Sequence, residues 1–149
     1  MAEFSQAEMR NVEAACYALA AEYAEIVDSQ DYARLREIFA EDATFARPAS
    51  PPQILSGIES IIAFFESRPR NRLTFHLISN FRVRMETMDT AVGTCRVLLY
   101  TSDASEPETP GEGRKTASKQ MMGTYQDRYV RTPKGWRFSE RGGSIMYHT

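Results

Sequence analysis

Leu73-Thr74-Phe75-His76-Leu77-Ile78-Ser79-Asn80-Phe81-Arg82-Val83-Arg84-Met85-Glu86 is the stretch where this chain changes character. Phe81, Val83 and Met85 alternate with Arg82, Arg84 and Glu86, the two-residue period of a strand with one wet face. The whole stretch reads as one or two strands. Upstream the period is helical. Ser5-Gln6-Ala7-Glu8 fits a capping box, and Val12, Cys16, Leu19, Tyr23 and Ile26 then recur at steps of three and four, so the spacing predicts a helix to about Asp28. Ser29-Gln30-Asp31 breaks it. Asp31 can cap a second helix that buries Tyr32, Leu35, Ile38 and Phe39. Ala43–Ala46 reads as a short strand and Pro48–Pro52 as loop. A third helix runs from Ile58 to Ser67 after Gly57, and Pro69 ends it.

Downstream, strands follow. Met88-Asp89 is a hairpin turn, Ala91–Ser102 a strand, and 103–114, rich in Pro, Gly and acids, a flexible loop. Thr116–Val130 reads as a long strand, Thr132–Gly135 as a tight turn and Trp136–Glu140 as the last strand. Gly142-Gly143 then releases a tail, Ser144–Thr149. Helices first and antiparallel strands afterwards define an α+β class. A curved sheet wrapped on one side by helices can enclose a cavity.

Composition narrows the function. The 149 residues suit one domain, 1–149, with its own core. Hydrophobic content of 42% and charged content of 26% are those of a soluble globular protein. A formal net charge of −2 argues against nucleic acid as a partner. No segment reaches the ~20 apolar residues of a membrane span, and the N-terminus lacks a signal-peptide pattern. Cys16 and Cys95 have no spacing motif and read as buried, small hydrophobes in a reducing compartment, so a cytoplasmic location is expected. No phosphate loop and no metal-spaced cluster occur, so neither cofactor nor metal is expected.

Two polar residues stand out against apolar surroundings. Asp28 closes the first helix, where the helix dipole disfavours a negative charge. His76 sits in an apolar strand and shares its face with Thr74 and Ile78. Asp28 can serve simply as a turn former, and His76 as a satisfied core histidine. If they touch, the carboxylate fixes the imidazole tautomer and makes a general base. Tyr23 fits the apolar stripe as a core residue, or donates a hydrogen bond to a developing oxyanion. Arg72, Asn80 and Arg141 are candidate orienting groups against a default reading as surface residues. Phe45, Ile78, Met121, Met122, Phe138 and Met146 are candidate core or cavity lining, suited to a flat, apolar ligand.

The segments Tyr23–Asp28, Tyr32–Phe45, Gly57-Ile58-Glu59-Ser60-Ile61, Thr74–Asn80, Gly123–Tyr129 and Lys134–Phe138 resemble the SnoaL-like family of the nuclear-transport-factor (cystatin-like cone) superfamily. Among its branches the chain is most similar to the scytalone dehydratase and hexachlorocyclohexane dehydrochlorinase-like one. The resemblance implies a cone of strongly curved, mostly antiparallel sheet wrapped by three N-terminal helices. It places an Asp–His dyad on Asp28 and His76, with Tyr23 at a position that carries a tyrosine in bile-acid dehydratase. It implies a cofactor-independent dehydratase or isomerase acting on a small hydrophobic cyclic molecule, in a homo-oligomer, trimer or dimer. Phe45, Ile78, Asn80, Met121, Phe138 and Arg141 are then expected to hold the substrate. The tail from Ser144 would lid the cone. The same fold also carries hydrolases, polyketide cyclases and non-catalytic modules such as dioxygenase β subunits. A second strand histidine, present in scytalone dehydratase, is missing here, as is the lysine that the dehydrochlorinase carries in place of Tyr23.

Overall fold

The structure is a computed structural model that describes residues 3–149. Helix α1 (Gln6–Ser29) starts at Ser5, whose side chain accepts from the Glu8 N–H while the Glu8 carboxylate accepts from the Ser5 N–H, the reciprocal cap read from the sequence. Its buried stripe includes Val12, Cys16, Leu19, Tyr23 and Ile26. It ends at Gln30, in the left-handed region with φ 62°. Gln30 also ties this helix end to the sheet: its Nε2 donates to the carbonyls of Arg70 and Arg72 at 3.1 and 3.0 Å.

The expected second helix is a six-residue 3-10 segment, Tyr32–Glu37, and Asp31 makes no side-chain cap. Ile38 and Phe39 leave the helix because the sheet claims them. The Ile38 carbonyl accepts from Phe138 N–H at 2.8 Å, and strand β1 (Phe39–Arg47) begins there. A short β2 (Gln53–Ser56), absent from the sequence reading, pairs antiparallel with β1. Helix α2 (Ile58–Glu66) follows Gly57 as expected and buries Ile58, Ile61, Ile62 and Phe65.

Four long strands complete the sheet: β3 (Arg72–Met85), β4 (Thr90–Asp103), β5 (Met121–Thr132) and β6 (Gly135–His148). The six strands lie in the order β2-β1-β6-β5-β4-β3, with β1 and β6 parallel and every other pair antiparallel. The stretch 73–86, read as one or two strands, proves to be one strand with a bulge: the register shifts between Ser79 and Arg82, and Asn80 adopts φ 52°. That extra residue swaps the inward parity from Thr74, His76 and Ile78 to Phe81, Val83 and Met85.

Two more expectations change. Residues 116–120 are not strand; they are held by single bonds such as Ala117 N–H to the Thr101 carbonyl at 2.7 Å. The segment after Gly143 is not a free tail or lid. It continues β6 and pairs with β5, Gly123 opposite Ile145 and Met122 opposite Tyr147. Glycine permits this approach, since a Cβ on Gly123 would lie 2.4 Å from the Ser144 carbonyl oxygen. The loop 103–114 is braced by Arg114, which donates to the Glu106 carbonyl and pairs with Glu108.

Candidate active site

Helix α1 crosses the concave face of the sheet, and Asp28 in its last turn meets β3. A carboxylate there opposes the negative end of the helix dipole. Three donors compensate. The Thr74 hydroxyl donates to Asp28 Oδ1 at 2.7 Å, the His76 backbone N–H donates to Oδ2 at 2.8 Å, and His76 Nδ1 lies 2.6 Å from Oδ1. An ionised carboxylate only accepts, so Nδ1 must carry the proton. Nε2 of the neutral ring is then a bare base. The ring is 6% exposed and forms part of a cavity wall.

The cavity, of about 240 Å³, lies between α1, α2 and the inner faces of β1 and β3 to β6. Strand register builds its wall, because directly paired residues share a face. His76 stands opposite Leu99, which stands opposite Met121; Val97 stands opposite Gly123, and Gly123 opposite Ile145. Tyr23, Val27, Phe45, Phe65 and Tyr125 complete the apolar lining. Tyr23 packs edge-on to His76 with ring centroids 6.3 Å apart, and to Tyr125 at 5.7 Å. Burial pushes both phenols up, Tyr23 well up, against the pull of the nearby Arg141 charge, so both remain protonated donors.

Of the residues singled out beforehand, Asp28, His76, Tyr23, Phe45, Arg72 and Met121 come together here. Met122, on the outer face of the sheet, and Met146, largely exposed, do not, and neither do Asn80, Ile78, Phe138 and Arg141. Asn80 sits in the bulge with its side chain in solvent, accepting from Ser79 Oγ at 3.0 Å; its role there is to adopt a left-handed backbone. Ile78 faces inward but packs against the core instead of lining the cavity. Phe138 is fully buried below the floor, 5.1 Å from both Phe39 and Tyr129. Arg141 is also buried. It lies beneath the phenols, with its guanidinium carbon 4.3 Å from the Tyr23 ring centre and 3.7 Å from that of Tyr125. Its ion partner Asp127 is 3.7 Å away and accepts from the Tyr129 hydroxyl at 3.1 Å. Burial outweighs these partners and pushes Asp127 up to about 6.

Sequence reasoning passed over Arg47 and Arg68 as site residues, although both line the cavity beside Arg72. The available signal was the run Arg68-Pro69-Arg70-Asn71-Arg72, which lies just before the strand that carries His76. Cys16 and Cys95 are free and buried, and burial pushes the Cys16 thiol up to about 12, so both act as packing groups. Among the described residues no group of three His, Cys, Asp or Glu side chains could hold a metal ion. No described helix is long and apolar enough to cross a membrane.

A helix-wrapped, curved, mostly antiparallel sheet with a cavity between helices and sheet defines the cystatin-like, nuclear-transport-factor-like class. A SnoaL-like domain model matches residues 8–142, and the chain belongs to that family. Among solved structures, a hexachlorocyclohexane dehydrochlorinase (LinA) Type2 aligns with TM-score 0.79 at 22% identity, over 97% of this chain and 92% of its own. A scytalone dehydratase-like protein of Novosphingobium aromaticivorans DSM 12444 aligns with TM-score 0.76 at 19% identity, over 97% and 91%. An NTF2-like protein with a cystatin-like fold, from the same species, aligns with TM-score 0.71 at 21% identity, over 94% and 86%. At these identities the likeness is one of fold. No functionally curated protein matches the sequence.

Proposed function

We propose that the protein is a cofactor-independent lyase of the dehydratase type, acting on a small hydrophobic cyclic substrate. The observation that carries this reading is the His76 Nδ1 to Asp28 Oδ1 contact of 2.6 Å beside an apolar cavity. His76 Nε2 removes a proton from a carbon made acidic by a neighbouring carbonyl, and Asp28 balances the imidazolium that forms. The electron pair of the C–H bond becomes the new double bond as the C–O bond breaks. Tyr23 hydrogen-bonds the leaving oxygen. The imidazolium returns the proton to that oxygen, water departs, and the base is restored. The names of two fold neighbours, a dehydrochlorinase and a scytalone dehydratase-like protein, both denote eliminations. An isomerase would share the first step and return the proton to a different carbon.

The partner we propose is a second copy of the chain. Register places Phe75 opposite Tyr100, and Leu77, Leu98, Met122 and Tyr147 in one row, on the outer face of the sheet. Phe75 is 60% and Tyr147 68% exposed. An apolar stripe of this kind suits a symmetric interface.

Screening cyclic β-hydroxyketones with product analysis tests the reaction. Loss of water with His76-dependent turnover is expected. Turnover that survives His76→Ala, in a variant with an unchanged melt, would refute the role of His76.

A further inference from the structure

Charge at the cavity runs against the charge of the chain. The protein carries a formal −2, yet the lining includes Arg47, Arg68 and Arg72 and no Asp or Glu. Asp28 lies behind His76 with its oxygens already engaged by three donors. None of the three arginines has an ion-pair partner among the described residues, whereas Arg34, Arg36, Arg70 and Arg114 each hold a glutamate.

Their placement is built, not incidental. The Arg47 guanidinium sits over the Phe64 ring at 4.1 Å and donates to Gln53 Oε1 at 2.7 Å. The Arg68 guanidinium sits over Phe65 at 5.5 Å. Stacking of this sort fixes a guanidinium plane while leaving N–H groups on its edge free. Arg72 opens β3, where Gln30 Nε2 grips its carbonyl at 3.0 Å. It shares the inward parity of Thr74 and His76, about 13 Å along the strand from His76. Burial and the like charge of Arg68 both disfavour the charged form of Arg72. A bound anion would relieve that repulsion.

We propose that this rim is a carboxylate seat: the substrate is an apolar ring bearing a carboxylate, held by Arg68 and Arg72, with Arg47 adding to the field. The inference rests on the reading above that this cavity is the reaction site. A planar carboxylate matches the guanidinium fork, and a cavity of about 240 Å³ suits one ring with a small head group.

Binding of benzoate, benzamide and phenyl phosphate to the full chain at pH 8, followed by calorimetry and by backbone amide shifts at Val97 and Leu99, tests it. Benzoate should bind at least about tenfold more tightly than benzamide, the scale of one charge-assisted hydrogen bond. Arg68→Gln and Arg72→Gln should each weaken benzoate and leave benzamide unchanged. The double variant, with an unaltered melt, should lose the preference. Equal binding of benzoate and benzamide would overturn the proposal, as would a preference that survives in the double variant. Tighter binding of phenyl phosphate than of benzoate would overturn the carboxylate assignment. His76→Ala separates the two readings, because it should keep the benzoate preference. A carboxylate preference without any His76-dependent turnover removes the catalytic reading alone. His76-dependent turnover of neutral substrates without that preference removes the carboxylate seat alone.

Discussion

Asp28 is the residue on which the site turns. Its charge lies at the unfavourable end of a helix, and the Thr74 hydroxyl, the His76 N–H and the His76 ring hold it there. Replacing Asp28 with Asn presents an amide that no longer balances an imidazolium, so kcat should fall by about 10²–10⁴-fold with KM little changed. Thr74→Val removes one donor of the three and touches no substrate. It should lower kcat by about tenfold, the worth of one hydrogen bond to a charged group, and steady-state kinetics on both variants would check this. Strand parity in the sequence showed that His76 shares a face with Thr74, and the helical stripe showed that Tyr23 points inward. Depth was not legible. Phe138 and Arg141 lie on the inner side of β6, as a cavity residue would, yet both are buried below the floor, Arg141 under Tyr23 and Tyr125 and Phe138 against Arg141. Parity gives the face of a residue but not how far along the cone it stands.

At the scale of elements, the strands that meet non-local partners were the hardest to read. The first helix carries its own signals, a capping box and a continuous stripe, and appears as expected. Phe39 looked helical because its period continues from Tyr32; its β1–β6 pairing with Phe138 overrides that local pattern. The two glycines before Ser144 looked like a release point, but both lie within β6, and the close approach of β5 to β6 depends on Gly123 of β5 and, less tightly, on Gly143. A Cβ on Gly143 would meet the Tyr125 ring at 3.3 Å, and one on Gly123 the Ser144 carbonyl at 2.4 Å. Gly123→Ala should therefore destabilise the β5–β6 pairing by about 1–3 kcal/mol. Urea denaturation would measure the change, and a variant as stable as the wild type would show that the strands separate at little cost.

For the whole molecule, two properties follow from what faces inward and what faces outward. The outer stripe of Phe75, Leu77, Leu98, Met122 and Tyr147 leaves apolar surface uncovered in one chain. Light scattering should find an oligomer, and Leu77→Lys should shift it to monomer with an intact melt. Inside, Asp127 titrates at about 6 in the fold against 3.8 when free. The folded state thus holds this proton more tightly than the unfolded chain. Its stabilising contribution is complete below about pH 3.8 and is lost as pH rises to about 6. Relative to Asp127→Asn, the wild type should lose stability across that window and run parallel above it, which paired denaturation series across pH would reveal.

The proposed chemistry requires that Asp28 hold His76 with its proton on Nδ1 and Nε2 bare toward the cavity. Nitrogen-15 NMR of the two histidines at pH 8, assigned with His76→Ala, measures this directly. The expected result is a protonated Nδ1 and an unprotonated Nε2 on His76, with that preference lost in Asp28→Asn. A proton on Nε2 in the wild type would contradict the dyad, because the atom facing the cavity would then have no lone pair with which to take a proton.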